Sequence, residues 1–106
     1  MVAVREKYET ADTVVIIGGS IGPRDDGYKP EQLMNSDQAE AYHSLQVNAF
    51  AASAVDMVDA VTMSYVEEAV GIARACKKAG IPSVISFTLE TDGKLQNGVT
   101  LGEAIE

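Results

Sequence analysis

Several residues in this chain have types and spacings that could do chemistry. Gly18-Gly19-Ser20-Ile21-Gly22-Pro23 is a glycine-rich run. Glycine amides can cradle a phosphate, but that design needs a helix N-terminus directly behind the loop. Here the next helix start falls near Ser36 and no Lys-Ser/Thr pair follows, so the run reads as a tight turn closing a strand. His43, the single histidine, lies inside a helical pattern and reads as a hydrogen-bonded structural residue. Glu67-Glu68 is an acid pair of the kind used in general acid–base catalysis, yet Ser64-Tyr65-Val66-Glu67 has the spacing of a capping box. Capping accounts for that spacing, and both carboxylates suit the positive end of a helix dipole. Cys76 stands beside Lys77 and Lys78, cations that lower a thiol pKa. With no second cysteine and no histidine nearby, it is read as neither ligand nor nucleophile. Asp25-Asp26-Gly27 lacks the alternate spacing of a calcium loop and reads as a solvated turn. No catalytic residue and no metal ligand is assigned from these groups.

The elements that position them follow from pattern. Val2, Val4 and Tyr8, with charges between, resemble the end of an amphipathic helix. Val14 to Gly18 is the first strand, in which Val14, Val15, Ile16 and Ile17 run without a polar break, the mark of a strand buried on both faces. A helix is expected from Asn35 or Ser36 to about Ala54, with Asp37 and Gln38 in its first turn. Met57 to Met63 is the second strand, and a helix follows from the Ser64 box to Lys77-Lys78-Ala79-Gly80, where cations and then glycine mark a C-terminus. Ser83 to Leu89 is the third strand. Thr91-Asp92-Gly93-Lys94 and Gln96-Asn97-Gly98 are turn signals, and Thr100-Leu101-Gly102-Glu103 is a second capping box. Strand–helix alternation of this kind builds a parallel sheet. The chain opens and closes in helix, the pattern of a cut through a longer α/β protein. A whole (β/α)8 barrel takes about 250 residues, so the 106 residues here correspond to three βα units.

Composition narrows the function. A net charge of -8 argues against nucleic acid and anionic membranes as partners. No apolar run approaches membrane-spanning length and no signal peptide opens the chain, which reads as soluble and cytoplasmic. One cysteine excludes an internal disulfide and fits a reducing compartment. No linker or low-complexity segment divides the chain, so residues 1–106 are expected to form a single unit.

Taken in order, Gly18-Gly19-Ser20-Ile21-Gly22-Pro23, Ala41-Tyr42-His43, Ala60-Val61-Thr62-Met63, Val66-Glu67-Glu68-Ala69, Ile85-Ser86-Phe87-Thr88, Asp92-Gly93-Lys94-Leu95 and Leu101-Gly102-Glu103-Ala104 resemble the middle of the homocysteine S-methyltransferase family. The resemblance covers nearly the whole chain. It implies a TIM barrel whose third, fourth and fifth strands these are. It also implies methyl transfer to the homocysteine thiol, giving methionine. Family members bind zinc through cysteines, which holds the thiol deprotonated at neutral pH. Those cysteines belong to later strands, so no zinc and no other cofactor is expected in this chain, and the isolated chain is expected to be inactive. Gly19, Ser20, Thr62 and Thr88, at strand ends, would line the barrel mouth and shape the substrate pocket. Two positions depart from the family pattern. Val61 stands where many relatives carry a glutamate able to meet the substrate amino group, and Ala54 where relatives tend to have a helix-ending glycine.

Other readings stay open: a non-catalytic remnant that survives as an oligomer, or a small α/β module whose loops at Ser20 and Thr62 hold an unrelated ligand. Three strands with helices on one side leave the opposite sheet face and both edges uncovered, so a homo-oligomer is expected. A homocysteine-like small molecule is expected as partner only in a complete barrel. Strand alternation places Met57, Asp59, Val61 and Met63 on one face, and the family's glutamate position at Val61 implies that this face lines the barrel. A carboxylate there needs either a partner or access to water.

Overall fold

The computed structural model describes residues 2–24, 33–95 and 98–106. Helix α1 (Val2–Tyr8) is followed by strand β1 (Gly18–Ile21), helix α2 (Ser36–Ala51), strand β2 (Met57–Met63), helix α3 (Val66–Ala79), strand β3 (Ser83–Phe87) and helix α4 (Leu101–Ile105). The strands form one parallel sheet in the order β1-β2-β3. The fold is therefore α/β, with three βα units. Asp25-Asp26-Gly27 and the Gln96-Asn97 half of the second turn signal lie outside the described residues.

Parallel register pairs Gly18 with Met57 and Ser20 with Asp59, and on the other side of β2 it pairs Asp59 with Val84 and Ala60 with Ile85. Alternate residues then face opposite ways. Ile21, Val58, Ala60 and Met63 pack with Val47 of α2 and with Ala69, Ile72, Ala75 and Cys76 of α3. Phe50, Ile85 and Phe87 flank this core. The two helices meet at Gly71, where an added Cβ would run into Ala39 and come within 2.6 Å of the Glu40 amide nitrogen. No larger residue fits that crossing.

The first strand lies later than its β-branched run. Residues 14–17 are irregular and β1 begins at Gly18. β2 begins at Met57, opposite Gly18, so the upstream residues have no neighbouring strand to ladder with. Instead the Ile17 amide donates to the Asp56 carboxylate (2.8 Å) and the Val15 amide to Glu9 (3.1 Å). Nor is the run buried on both sides: Val14 and Ile16 are exposed while Ile17 is buried. β3 ends at Phe87, two residues short of the apolar run's end at Leu89. α1 forms, but buries no residue. Arg5 Nη1 ties it to Asp56 at 3.1 Å.

Helix ends follow the sequence at most junctions. Asn35 caps α2 by accepting from the Gln38 amide (2.8 Å), and the Gln38 side chain accepts from the Asn35 amide (3.0 Å). Gly80 closes α3 with φ +73°, a left-handed cap that glycine takes without strain. Thr100 caps α4 by accepting from the Glu103 amide (3.2 Å). The Ser64 box does not form. The residue that caps α3 is Tyr65, with no side-chain cap bond, while Ser64 is buried with its hydroxyl unpartnered.

Candidate functional site at the carboxyl ends of the strands

Ligands of parallel α/β folds bind where the strands end and the loops turn into helices. The turn from β2 into α3 is the unusual one. Thr62 has φ +56°, the only non-glycine residue with positive φ among those described. A β-branched residue is strained there, because its Cβ crowds the backbone, and such strain concentrates at ligand clamps and active sites. The Thr62 hydroxyl donates to the Val61 carbonyl at 2.6 Å. The ladder with β3 slips over the same stretch, between Ala60 and Met63. One consequence corrects the simple alternation. Met63 is fully buried among the helices and does not share the face of Met57, Asp59 and Val61, because the turn at Thr62 reverses the direction of the residues after it.

The residues singled out from the sequence are placed as follows. Ser20 is exposed on the sheet face away from the helices. Gly19 points the other way, buried under α2, where an added Cβ would lie 2.8 Å from the Phe50 ring. Thr62 and Thr88 are half-buried, and the Thr88 amide donates to the Met63 carbonyl at 2.8 Å, which joins the ends of β2 and β3. The face bearing Ser20, Asp59 and Val61 is open to water, with Val61 and Val84 exposed on it. Phe50 and Phe87 belong to the helix side.

Beneath the mouth lies an interaction the capping reading missed. Glu68 is 1% exposed and stands in the first turn of α3. Its Oε1 accepts from the backbone amide of Arg24 (2.8 Å) and from His43 Nε2 (2.8 Å). Against an ionised carboxylate, which can only accept, His43 Nε2 is the donor. The Tyr65 hydroxyl in turn accepts from the Met34 amide at 3.0 Å. Both ends of the β1–α2 connection, Arg24 and Met34, are thus fastened to the head of α3. The signal was present in the sequence: Ala39, His43 and Val47 form one buried stripe, and Glu68, Ile72, Ala75 and Cys76 another. A polar residue on each stripe needs a partner.

The residues present do not fit a zinc site. Cys76 faces the core from the last turn of α3, and burial pushes its thiol above the ordinary value of 9.0, opposed in part by a hydrogen bond with Ser83. The neighbouring lysines, exposed at the helix end, do not offset that burial, so the thiol is not activated as the sequence suggests. His43 Nε2 is taken by Glu68. Among the described residues, no three His, Cys, Asp or Glu side chains come together in a way that could hold a metal ion. No described helix is long and apolar enough to cross a membrane.

No curated protein and no solved structure gives a significant match to the chain. A sequence model of one family, described as homocysteine S-methyltransferase, matches residues 1–106. The chain, with its parallel βα order, belongs to the homocysteine S-methyltransferase family.

Proposed function

We propose that these three βα units are one section of the wall of a homocysteine-binding (β/α)8 barrel, in the places of its third to fifth strands. In the complete barrel a methyl group passes to the homocysteine thiol sulfur: the S–CH3 bond forms, the donor's bond to that methyl breaks and the thiol proton is lost, giving methionine. The single observation that carries this reading is the family match over residues 1–106. The open sheet face supports it, since barrel closure is the ordinary way to cover such a face. In this reading Gly19, Ser20, Thr62 and Thr88 shape the mouth. Gly19 does so indirectly, by letting Phe50 pack close under the strand. No step is routed through a metal on these residues. The test is methionine formation from homocysteine with a panel of sulfonium and quaternary-ammonium methyl donors. Methionine is expected from a protein in which these residues sit in a complete barrel, and none from residues 1–106 alone. Turnover by residues 1–106 alone would overturn the reading.

The same open face supports self-association of the isolated chain. Val61 and Val84 are exposed on that side of the sheet, and among the described residues β1 and β3 each present an unpaired edge. A homo-oligomer is the expected state by light scattering. A sharp monomer mass with a cooperative melt, unchanged by Val84→Lys, would count against it.

A further inference from the structure

Apolar surface without a cover gathers at the β1 margin of the molecule. α1 buries no residue and exposes Val2, Val4 and Tyr8. So short a helix is not stable by itself, and its apolar side chains call for something to pack on. Val14 and Ile16, on the run that leads into β1, are exposed as well. α1 and this run are held together: the Val15 amide donates to Glu9, and the Asp56 carboxylate meets both Arg5 and the Ile17 amide. Between them opens a groove of about 330 Å³ lined by Val2, Ile17, Gly18, Phe50 and Val55, among others. Beside the groove runs the free margin of β1. Ile17 turns its carbonyl to the amides of Asp56 and Met57, so strand alternation points the Gly18 and Ser20 amides outward, away from β2. Natural sheets protect such an edge with charged residues or proline. Neither stands anywhere from Thr13 to Gly22.

We infer that this margin is a dimer interface, and that its occupant is the same margin of a second copy of the chain. A two-fold axis joins like edges only in antiparallel fashion, so β1 pairs with β1 and the two three-stranded sheets become one. The run from Val14 to Ile17, which has no neighbouring strand in its own copy, gains one in the other. Charge favours this margin. Arg5 and Lys7 stand against Glu6, Glu9 and Asp12, which leaves residues 2–21 a net charge of -1 of the chain's -8, so most of the repulsion between two acidic chains lies elsewhere. Area favours it too. Val2, Val4, Tyr8, Val14 and Ile16 together expose on the order of 500 Å², the size of patch that marks an interaction site. The backbone and polar side chains around them bring the margin toward the roughly 800 Å² per partner of a standard interface. The opposite edge is less open, since Ala104 and Ile105 of α4 share a groove with Ile85 and Phe87 of β3. This deepens the self-association reading and rests on it, because it commits the second copy to the β1 margin and not to the open sheet face.

Sedimentation equilibrium on residues 1–106 reads the assembly directly, and a mass twice the chain's 11.2 kDa is expected. Val14→Lys/Ile16→Lys sets like charges against each other across the joined edges and should weaken the dimer at least about tenfold. Both side chains are exposed, so the far-ultraviolet circular dichroism should not change. Val61→Lys/Val84→Lys, on the open face, should leave the dimer as it is. Amide hydrogen exchange gives a second reading that needs no variant: the Gly18 and Ser20 amides should exchange more slowly as protein concentration rises. A dimer that survives Val14→Lys/Ile16→Lys, one that is lost in Val61→Lys/Val84→Lys, or Gly18 and Ser20 amides indifferent to concentration would overturn the assignment to this margin and leave self-association standing. A monomer at every concentration would overturn both. Methionine formation is measured separately, so the methyltransferase reading stands or falls on its own.

Discussion

His43 Nε2 and Glu68 Oε1 lie 2.8 Å apart, 25 residues apart in sequence and both within 3% of full burial. The pair joins the middle of α2 to the first turn of α3, and through Glu68 it also holds the Arg24 amide. Its geometry is that of a fastening for the β1–α2 connection.

Removing one partner leaves the other buried without its bond, which costs about 3 kcal/mol or more. His43→Leu and Glu68→Leu should each lower the unfolding free energy measured in urea by that order. The double variant His43→Leu/Glu68→Leu should lose clearly less than the sum, because an apolar pair can fill the same space. Additive losses in the double-variant cycle would show that the two residues do not act together.

Thr62 should stabilise the chain when replaced by glycine. Relief of the left-handed backbone is worth about 1–3 kcal/mol, against about 0.5–1 kcal/mol of extra chain entropy lost on folding. Thr62→Gly is therefore expected to raise the melting temperature, and Thr62→Val to lower or leave it. A destabilised Thr62→Gly would mean that the φ of +56° carries no strain.

Gly71→Ala should destabilise although alanine is the better helix former. The new methyl meets Ala39 and the Glu40 backbone, and backbone cannot step aside as a side-chain tip can. Overpacking of about 1–3 kcal/mol outweighs a propensity gain of about 1 kcal/mol. Thermal or urea denaturation of the single variant decides it.

Cys76 gives the chain an alkaline limit. Its folded pKa lies above the ordinary 9.0 because burial disfavours the thiolate. The protonated thiol is thus common to both states below pH 9.0, and the associated stability is fully present there. As pH rises past that value the unfolded chain ionises first, so stability falls until the folded thiol also titrates. Denaturation at pH 8 and 10 should show a loss that Cys76→Ala lacks. Thiol reagents should react with native Cys76 only through opening of the fold.

What the sequence made legible was local. Asn35, Gly80 and Thr100 mark helix ends through bonds to residues a turn away, and such bonds depend on spacing alone. The Ser64 box has the same spacing and does not form, because Ser64 is drawn into the core beside Met63 once Thr62 has turned the strand. The start of β1 was hidden for a related reason: Val14 to Ile17 have strand-forming side chains, but a ladder needs a neighbour and β2 begins only at Met57. Glu68 and His43 find each other through tertiary packing of α2 on α3, which no local pattern states. Their positions on buried stripes were the available clue.

The sheet order β1-β2-β3 repeats the order of the chain. Each strand is thus laid down beside its predecessor, and no later segment has to thread between strands already paired. Such a wall grows like courses of brick. A nascent chain can set each βα unit against the last as it emerges, and the outer margin of β3 offers its backbone in the polarity that a following parallel strand would need. Lengthening or shortening a protein of this design by whole units changes one seam at a time, until the first and last strands meet and the wall closes on itself.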